Sequence, residues 1–386
     1  VSFVASLAEK ASKAGAQFGT SLLWALLFSL IATFILQEMS ARLGLVSRRS
    51  LSEAIKQQFS HPLIKIPALF LVFSAITIGA AAYEAGNIAG GVMGLNVLTG
   101  GSVPVPALFL GLIAGFLLWF GSYKVIEKFF MLCIGLMSLV FVITAIIGAP
   151  SISEIVTGLI TFATPDASAI IIVALVGTTV VPYNLFLHSS AVQEHWENAE
   201  SLGAARKDSL LAITITGLIS MSIVICAAAV FPVGVEITSV MEMAKGLEPA
   251  LGAWAQSFFA VGLFAAGMTS SIAAPLAAAY TCGGIFSWKR DIQSIQYRVV
   301  IVAILLIGVS FSMAGFSSST IIHFAQYTNG LLLPLLACFL VFVMNSKTLL
   351  GDYRNSLLSN IGGVLVILVC ILLSLKSFGV INLLLN

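Results

Sequence analysis

The chain has 386 residues, of which 59% are hydrophobic and only 9% are charged, and its formal net charge is +2. Soluble domains carry about 25% charged residues, so this composition excludes a soluble fold. Repeated apolar runs of about 20 residues indicate membrane-spanning helices rather than barrel strands. The sequence therefore predicts an all-α integral membrane protein whose partner is a lipid bilayer. The small net charge gives no indication of nucleic-acid binding.

Ten apolar segments are predicted to span the membrane, and short loops rich in Gly, Pro, Asn and Ser separate them. No linker is long enough to divide the chain, so we expect one transmembrane domain over residues 1–386. The segments cover approximately residues 18–44, 65–94, 104–121, 124–148, 168–195, 208–231, 252–286, 296–315, 321–344 and 359–382.

Basic residues alternate between the loops. One set of loops holds thirteen of them, whereas the opposite loops hold Lys245 alone beside five acidic residues. The positive-inside rule predicts that the cation-rich loops are cytoplasmic, so the first full span runs inward. Residues 1–14 precede that span but are too short and too charged to cross a bilayer, so either the chain starts outside or a preceding span is missing or rewritten. The thirteen residues are Arg48, Arg49, Lys56, Lys65, Lys124, Lys128, Arg206, Lys207, Lys289, Arg290, Arg298, Lys347 and Arg354.

Glu84 is the acidic residue that lies deepest in a predicted span, within the segment AITIGAAAYEAGNIAGG. No cation lies within four residues of it, and Asn87 follows one turn later on the same helix face. An ionisable side chain at this depth indicates a functional site. Nearby glycines allow a ligand or another backbone to come close. The alternative is a protonated, hydrogen-bonded residue that only packs helices together.

The segment TTVVPYNLFLHSS, residues 178–190, predicts a break in the fifth predicted span. Pro182 removes one helical hydrogen bond and moves Val181 out of the helical region. Backbone carbonyls freed at membrane depth are tolerated only inside protein or along a water-filled cavity, and broken helices of this kind form substrate sites in secondary transporters. A simple proline kink is the alternative. His188 on the following half is either a buried core histidine or part of a proton route.

Two other spans have polar residues at their middle. The segment AAGMTSSIAAPLAAAY contains Thr269, Ser270 and Ser271, whose hydroxyls can bond back to their own helix. The segment IIHFAQYTNGLLLP places Gln326 and Asn329 on one helix face. These two amides either line a pore or hydrogen-bond another helix.

Four segments, taken together, resemble the NRAMP family of divalent-metal transporters in the expected order. They are AGAQFGTSLLWALLFSLIATFILQEMSARLGLVS, GTTVVPYNLFLHSS, AAGMTSSIAAPLA and FAQYTNGLLLP. The resemblance implies the LeuT-like inverted-repeat fold, five helices plus five, with broken first and sixth helices. Residues 1–148 would be the first repeat with an incomplete first helix, residues 168–344 the second, and residues 359–386 an extra C-terminal helix.

Several positions depart from the pattern of that family. The Asp-Pro-Gly-Asn break, which supplies two metal ligands in the family, has no counterpart here. Val181 stands where the family has methionine, and Tyr183 stands where it has the first of two histidines. His188 keeps the second histidine, whereas Leu332 replaces a glutamine. The family's acidic proton pathway on its third helix is not recognisable, and Glu84 stands in a different setting.

These departures, read through the resemblance, imply a hard divalent cation as substrate. A thioether ligand favours softer metals, whereas carboxylates, carbonyls and water suit Mg²⁺ and Mn²⁺. The chain resembles the magnesium-transporting branch of the family, with a partly hydrated ion, weak or no proton coupling and no cofactor besides the substrate. The implied ligands are Glu84, the Thr178 carbonyl and Gln326, with Val181, Tyr183, Asn184, Asn87 and Asn329 lining the site and His188 as a possible proton relay.

The expected activity is import across the plasma membrane by alternating access. Three alternatives stay open: a proton-coupled Mn²⁺/Fe²⁺ importer, a sodium-coupled amino-acid carrier, and a membrane scaffold or sensor that transports nothing. An enzyme is not predicted, because the sequence has no paired catalytic acids, nucleophile–base set or phosphate-binding loop. The sequence leaves the oligomeric state open.

Overall fold

The computed structural model describes residues 4–100, 104–120, 124–148, 150–165, 168–237, 239–314 and 318–377. These ranges are mainly helical, with short connections. In chain order the α-helices are α1 (Val4–Phe18), α2 (Leu23–Ser47), α3 (Leu51–Gln58), α4 (Pro62–Thr99), α5 (Pro104–Phe120), α6 (Lys124–Ile147), α7 (Ile152–Ile160), α8 (Ala169–Thr179), α9 (Pro182–His195), α10 (Leu202–Val230), α11 (Val240–Lys245), α12 (Glu248–Leu251), α13 (Ala255–Phe286), α14 (Ile295–Met313), α15 (Ser318–Met344), α16 (Lys347–Leu350) and α17 (Leu357–Ser377).

A helix or broken helix stands at the position of every predicted span. Among the described residues, seven helices are long and apolar enough to cross a membrane, or up to nine if two bent helix pairs each count as one span. The predicted total of ten spans exceeds this count. One reason is α5, whose 17 residues fall short of the roughly 20 that a straight span needs. The all-helical membrane architecture is nevertheless the predicted one.

The N-terminal segment is a buried helix. At 1.5 Å per residue, the 15 residues of α1 reach about 22 Å, less than the hydrocarbon thickness of about 30 Å, so α1 is too short to span a bilayer, as predicted. However, α1 packs inside the protein against α10, α8 and α13. Gly15 makes this packing possible, because a Cβ there would lie 2.3 Å from the Val224 carbonyl oxygen. The charges of residues 1–14 therefore do not keep α1 out of the core.

Helix α4 lies at the centre of the bundle, between α13, α14 and α15. Its crossing with α13 is a glycine-to-glycine contact, because a Cβ on Gly267 would lie 2.5 Å from the Gly91 Cα atom. Small residues at such crossings allow helix backbones to approach closely. The crossing places Glu84, two turns before Gly91, inside protein rather than lipid, with none of its surface exposed.

Most of the cation-rich loops meet at one end of the molecule, which we call the cationic end. Glu38 of α2 pairs with Arg42, one turn further along the same helix, at 3.0 Å, and Arg206 of α10 contacts the same carboxylate at 2.6 Å. Arg290, after α13, pairs with Glu53 of α3 at 2.8 Å. These contacts between loops distant in sequence agree with the predicted alternation of charge. That this end is cytoplasmic stays a prediction.

Large apolar side chains cover the outside of the bundle. They include Phe70, Leu112, Leu211 and Leu306, each more than 60% exposed. A water-soluble surface rarely exposes apolar area on this scale, whereas lipid chains accept it and require only that the backbone be paired internally, as it is in helices. The chain is therefore a multi-pass membrane protein.

Candidate functional site

The predicted break in the helix is confirmed and lies between α8 and α9. The last hydrogen bond of α8 joins the Val180 N–H to the Val176 carbonyl at 2.8 Å. Val180 and Val181 then leave the helical region, with φ/ψ of −97°/88° and −99°/122°. Pro182 begins α9, where its missing N–H and fixed φ are compatible with the first helical position. Both valines are buried, so the break is enclosed by protein.

Val176 accepts the last backbone hydrogen bond of α8, so the carbonyls of residues 177–179 accept none from this helix. They face different neighbours. The Tyr83 hydroxyl of α4 donates a hydrogen bond to the Gly177 carbonyl at 2.7 Å. On another side, the Thr33 hydroxyl of α2 lies 3.5 Å from the Thr179 carbonyl, a long and weak contact.

Thr178 lies between these two positions and is fully buried. Its carbonyl would be paired in a continuous helix with the N–H of residue 182, and proline has none. The Thr178 hydroxyl bonds back to the Ala174 carbonyl, which leaves the backbone oxygen as the ligand this residue can offer. This geometry fits the predicted role of Thr178 and does not test it.

Glu84 and Asn87 lie together, as their one-turn spacing predicts. The Asn87 side-chain nitrogen lies 3.5 Å from one oxygen of the Glu84 carboxylate and donates to the Ser270 carbonyl of α13 at 3.1 Å. The other Glu84 oxygen has no hydrogen-bond partner among the described residues. The Ser271 hydroxyl faces the same carboxylate without reaching hydrogen-bond geometry.

Tyr183 places the broken helix next to the Glu84 carboxylate. It lies in the first turn of α9, its ring contacts that of Tyr83 edge to face at 5.3 Å, and its side chain lies close to Glu84 and Asn87. Its hydroxyl, like those of two serines of α13, has no hydrogen-bond partner among the described residues. We call this set the buried polar cluster; its members are Glu84, Asn87, Tyr183, Ser270 and Ser271.

Buried polar atoms in native proteins are nearly always hydrogen-bonded, so unpaired ones require an explanation such as an ion, water or a proton. The buried polar cluster holds four such atoms, one each on Glu84, Tyr183, Ser270 and Ser271. Helix α14 closes over it at Gly308, where a Cβ would lie 2.6 Å from the Glu84 Cγ atom. The cluster is therefore sealed by protein on this side.

Asn184 and His188 lie on the other face of α9. They line a cavity of about 270 Å³ together with Thr33, Gln37 and Thr216. The His188 Nε2 atom lies 3.4 Å from the Ser209 hydroxyl. A cavity of this size, with a lining that is part polar and part apolar, has room for several water molecules near its polar groups.

The predicted site residues therefore divide into two groups on different faces of α9. Tyr183 accompanies Glu84 in the buried polar cluster, whereas Asn184 and His188 line the cavity. Gln326 and Asn329 lie on α15, which packs against α4 and α8, but their side chains lie outside the described part of the chain.

Sequence reasoning missed Tyr83, Gln37 and the two serines as site residues. The sequence allowed all three hydroxyls of residues 269–271 to bond back to their own helix; that of Thr269 does so, at 3.1 Å to the Ala265 carbonyl, whereas those of Ser270 and Ser271 have no partner among the described residues. The only indication of these serines in the sequence was the run of three polar residues, 269–271, at the middle of a predicted span. Helical spacing alone does not show which of them faces Glu84.

An ionic cluster on α1 was missed as well. The Glu9 carboxylate lies 3.2 Å from the Lys10 ammonium and 2.8 Å from that of Lys13. The side chains of Glu9 and Lys10 are at most 2% exposed. The sequence showed these charges but did not show that the helix carrying them is buried.

Among the described residues, no group of three or more His, Cys, Asp or Glu side chains could hold a metal ion. Within the buried polar cluster, Glu84 supplies the one carboxylate, and the other members supply neutral hydroxyl and amide groups. Such a set suits hard, oxygen-preferring cations.

Comparison with known proteins agrees with this architecture. A family model described as Nramp, natural resistance-associated macrophage protein-like, matches residues 6–379. The divalent metal cation transporter MntH of Verminephrobacter eiseniae is 28% identical over 390 residues, covering 95% of this chain and 85% of the relative. The MntH protein of Staphylococcus saprophyticus is 27% identical over 374 residues, covering 90% and 82%.

Two solved structures show the same fold. The Eremococcus coleocola manganese transporter, in complex with an aromatic bis-isothiourea substituted compound, matches with a TM-score of 0.77 at 19% identity, covering 97% of this chain and 85% of that one. Mhp1, a nucleobase-cation-symport-1 family transporter, matches with a TM-score of 0.60 at 15% identity, covering 98% and 89%. Since the family model spans nearly the whole sequence and the helices follow the architecture of these transporters, the chain belongs to the Nramp family and has the LeuT-like, all-α transporter fold.

Proposed function

We propose that this protein is a secondary transporter that carries a divalent metal cation across the plasma membrane by alternating access. The observation that carries the proposal is the buried polar cluster beside the helix break. Its carboxylate and unpaired hydroxyls are buried, and its member Tyr183 directly follows Pro182, the residue whose missing N–H leaves the Thr178 carbonyl without a helical donor. The names of the relatives, which are divalent metal cation transporters, support the same class of substrate.

The cation binds at the break, between α4, α8 and α15. Glu84 supplies the charge, the Thr178 carbonyl supplies a backbone oxygen, and Gln326 supplies an amide oxygen. Tyr183, Asn87 and Asn329 line the site, and Val181 lines it without offering a ligand atom. Asn184 and His188 lie in the adjoining cavity, where water hydrates the ion and where His188 is placed to relay a proton. Rocking of the repeats at residues 1–148 and 168–344 exposes the site alternately to each side, with the cationic end cytoplasmic.

For the identity of the ion we propose Mg²⁺, with Mn²⁺ also accepted and weak or no proton coupling. Mg²⁺ keeps several waters and is usually held by one or two carboxylates, which agrees with a single acidic side chain beside a polar cavity. Val181 has no thioether, the soft ligand that a methionine would supply at this position and that favours later transition metals. The standard proton-coupled Mn²⁺ importer fits at least as well on the names of the relatives, and the solved structure with the higher TM-score is that of a manganese transporter.

The test is ion-resolved flux into proteoliposomes with internal pH recorded, comparing wild type with Glu84→Gln. We expect at least a tenfold loss of divalent-cation uptake for Glu84→Gln, because the amide has the shape of the carboxylate but not its charge. Glu154→Gln, at an exposed position of α7, is the matched control and should transport like wild type.

Each alternative predicts a different result in the same assay. If millimolar Mg²⁺ neither enters nor competes with Mn²⁺, and the lumen acidifies with uptake, the protein is a proton-coupled Mn²⁺ importer. Uptake of amino acids that depends on Na⁺ would indicate a carrier of organic substrates. Background flux in both wild type and Glu84→Gln would indicate a scaffold or sensor.

A further inference from the structure

We propose that a groove between α2 and α17 binds an anionic phospholipid, with one acyl chain along the groove and the phosphate at Arg206 of α10. The groove has a volume of about 570 Å³ and opens on the outside of the bundle, at the cationic end. The inference goes beyond the proposed function, because it concerns the lipid-facing surface and does not depend on which ion the protein carries.

The two helices that form the groove run antiparallel. Arg42, near the end of α2, donates to the Asn355 side chain just before α17, at 2.8 Å. Seven residues before Arg42, Ile35 lies beside Gly362, where a Cβ would be 3.3 Å from the Ile35 Cδ1 atom. Seven helical residues rise about 10 Å. The groove therefore runs about 10 Å inward from the charged end, along much of one leaflet's hydrocarbon layer of about 15 Å.

The walls of the groove suit an acyl chain. Leu358, Ile361 and Leu365 of α17 line it and are between 48% and 79% exposed, and Ile35 faces them from α2. Gly362 lies among them without a side chain, which keeps the groove open. Lipid chains are as apolar as leucine, so these walls accept a chain without selecting one lipid over another. Any selection has to come from the charged end.

The charged end of the groove carries a net positive charge. The Glu38 carboxylate is shared by two guanidinium groups, that of Arg42 at 3.0 Å and that of Arg206 at 2.6 Å, so one positive charge is left over. The side chain of Arg42 is 5% exposed, whereas that of Arg206 is 46% exposed. The excess charge is therefore accessible at Arg206. Its guanidinium can donate to phosphate oxygens while Glu38 holds it in position.

Arg206 also lies at the level of the lipid headgroups. On α10 the next two residues, Lys207 and Asp208, are exposed and offset each other's charge, whereas Leu210 and Leu211 are 49% and 62% exposed. This change from exposed charges to exposed apolar side chains within one turn indicates the boundary between water and hydrocarbon. Basic pockets between transmembrane helices at such a boundary bind the headgroups of anionic lipids. A lipid whose phosphate contacts Arg206 has its chain directed along the groove.

The experiment is native mass spectrometry of the detergent-purified protein, titrated with phosphatidylglycerol or with phosphatidylcholine. We expect wild type to bind the first phosphatidylglycerol more tightly than the first phosphatidylcholine. Arg206→Gln should weaken phosphatidylglycerol binding about fivefold, because one basic side chain at the membrane surface is lost, and should leave phosphatidylcholine binding unchanged. Glu38 keeps Arg42 as a partner in this variant, and thermal unfolding without lipid checks that the fold is retained.

Arg290→Gln is the matched control for the charge. Arg290 lies at the same cationic end and also contacts a carboxylate, that of Glu53, at 2.8 Å, but it does not line the groove. The control should bind phosphatidylglycerol like wild type. Equal weakening in Arg206→Gln and Arg290→Gln would mean that overall charge, and not this groove, selects the lipid.

A second pair of variants tests the groove itself. Gly362→Leu fills the space beside Ile35 and leaves the arginine in place, so it should weaken phosphatidylglycerol binding by a similar factor. Gly135→Leu is its control, because Gly135 lines a groove between α6 and α10 that has no charged residue among its described lining. This control should bind phosphatidylglycerol like wild type.

Inorganic phosphate distinguishes a lipid from a free anion. It carries the charge without an acyl chain, so it should not displace phosphatidylglycerol at equal concentration, and displacement would overturn the proposal in favour of a soluble anion. Equal affinity of wild type for the two lipids would overturn it as well, and so would an unchanged affinity in either Arg206→Gln or Gly362→Leu. None of these results bears on divalent-cation flux, so the proposed function is tested separately.

Discussion

Glu9 joins two lysine side chains inside the protein, and replacing it with glutamine removes the carboxylate charge that both lysines contact. The Glu9 side chain is 2% exposed, that of Lys10 is 1% exposed and that of Lys13 is 14% exposed. Glutamine has nearly the same shape and can still accept a hydrogen bond. Glu9→Gln therefore changes the electrostatic energy of the cluster with little change in packing.

The expected loss of stability follows from the two distances. At an effective dielectric constant of about 20, attractions over 3.2 Å and 2.8 Å amount to about 5 and about 6 kcal/mol. Relaxation, water penetration and release of a proton from a lysine reduce these values, and breaking a buried pair typically costs about 3–5 kcal/mol. At about 2 °C per kcal/mol, Glu9→Gln should lower the apparent melting temperature by roughly 6–10 °C.

The measurement is thermal unfolding of the detergent-purified protein, with Glu53→Gln as the matched control. Glu53 also pairs with a cation, Arg290, at 2.8 Å, but these side chains are 27% and 36% exposed. Exposed pairs contribute about 0–1 kcal/mol, and glutamine preserves the capping box that residue 53 makes with Ser50. Equal shifts in melting temperature for the two variants would contradict this prediction, because the two ion pairs differ mainly in burial.

Three further predictions concern the site. Gly308→Ala should displace Glu84 and lower cation uptake about tenfold, because the added Cβ would lie 2.6 Å from the Glu84 Cγ atom. The control is Gly115→Ala, whose Cβ meets its nearest neighbour at 3.7 Å and which should transport like wild type. Equal activity of the two variants would contradict the proposed position of the site. Val181→Met adds a soft ligand and should raise uptake of Cd²⁺ relative to Mg²⁺ about tenfold in flux assays with both ions, and an unchanged ratio would mean that this position does not face the ion. Pro182→Ala restores the N–H that the break lacks, so it should straighten the helix and raise the apparent melting temperature. The same change should lower uptake of the cation. Full activity of this variant would show that transport does not need the break.

Local chemistry accounts for what could be predicted about the helices. A run of about 20 apolar residues has to pair its backbone internally in lipid, and a helix does this wherever the run occurs. Such apolar runs, and a proline within one of them, can be recognised directly in the sequence. The all-α membrane fold and the break between α8 and α9 were predicted for this reason, as was the one-turn proximity of Glu84 and Asn87.

The contacts between helices could not be predicted from the sequence in this way. Helical periodicity alone does not show which neighbour each helix face meets. The sequence therefore grouped Asn184 and His188 with Glu84, whereas the structure places them on a different face of α9 from Tyr183.

Local sequence is sufficient to predict the membrane environment, the approximate positions of the helices, the break and the one deep carboxylate, because each depends on residues within a few turns of one another. The packing of the helices adds three features: α1 is buried with its charges, the Tyr83 hydroxyl donates to the Gly177 carbonyl, and Ser271 of α13 faces Glu84. These features could not be predicted, because they are contacts between residues far apart in the chain, such as Tyr83 and Gly177, and their energies depend on how whole helices pack.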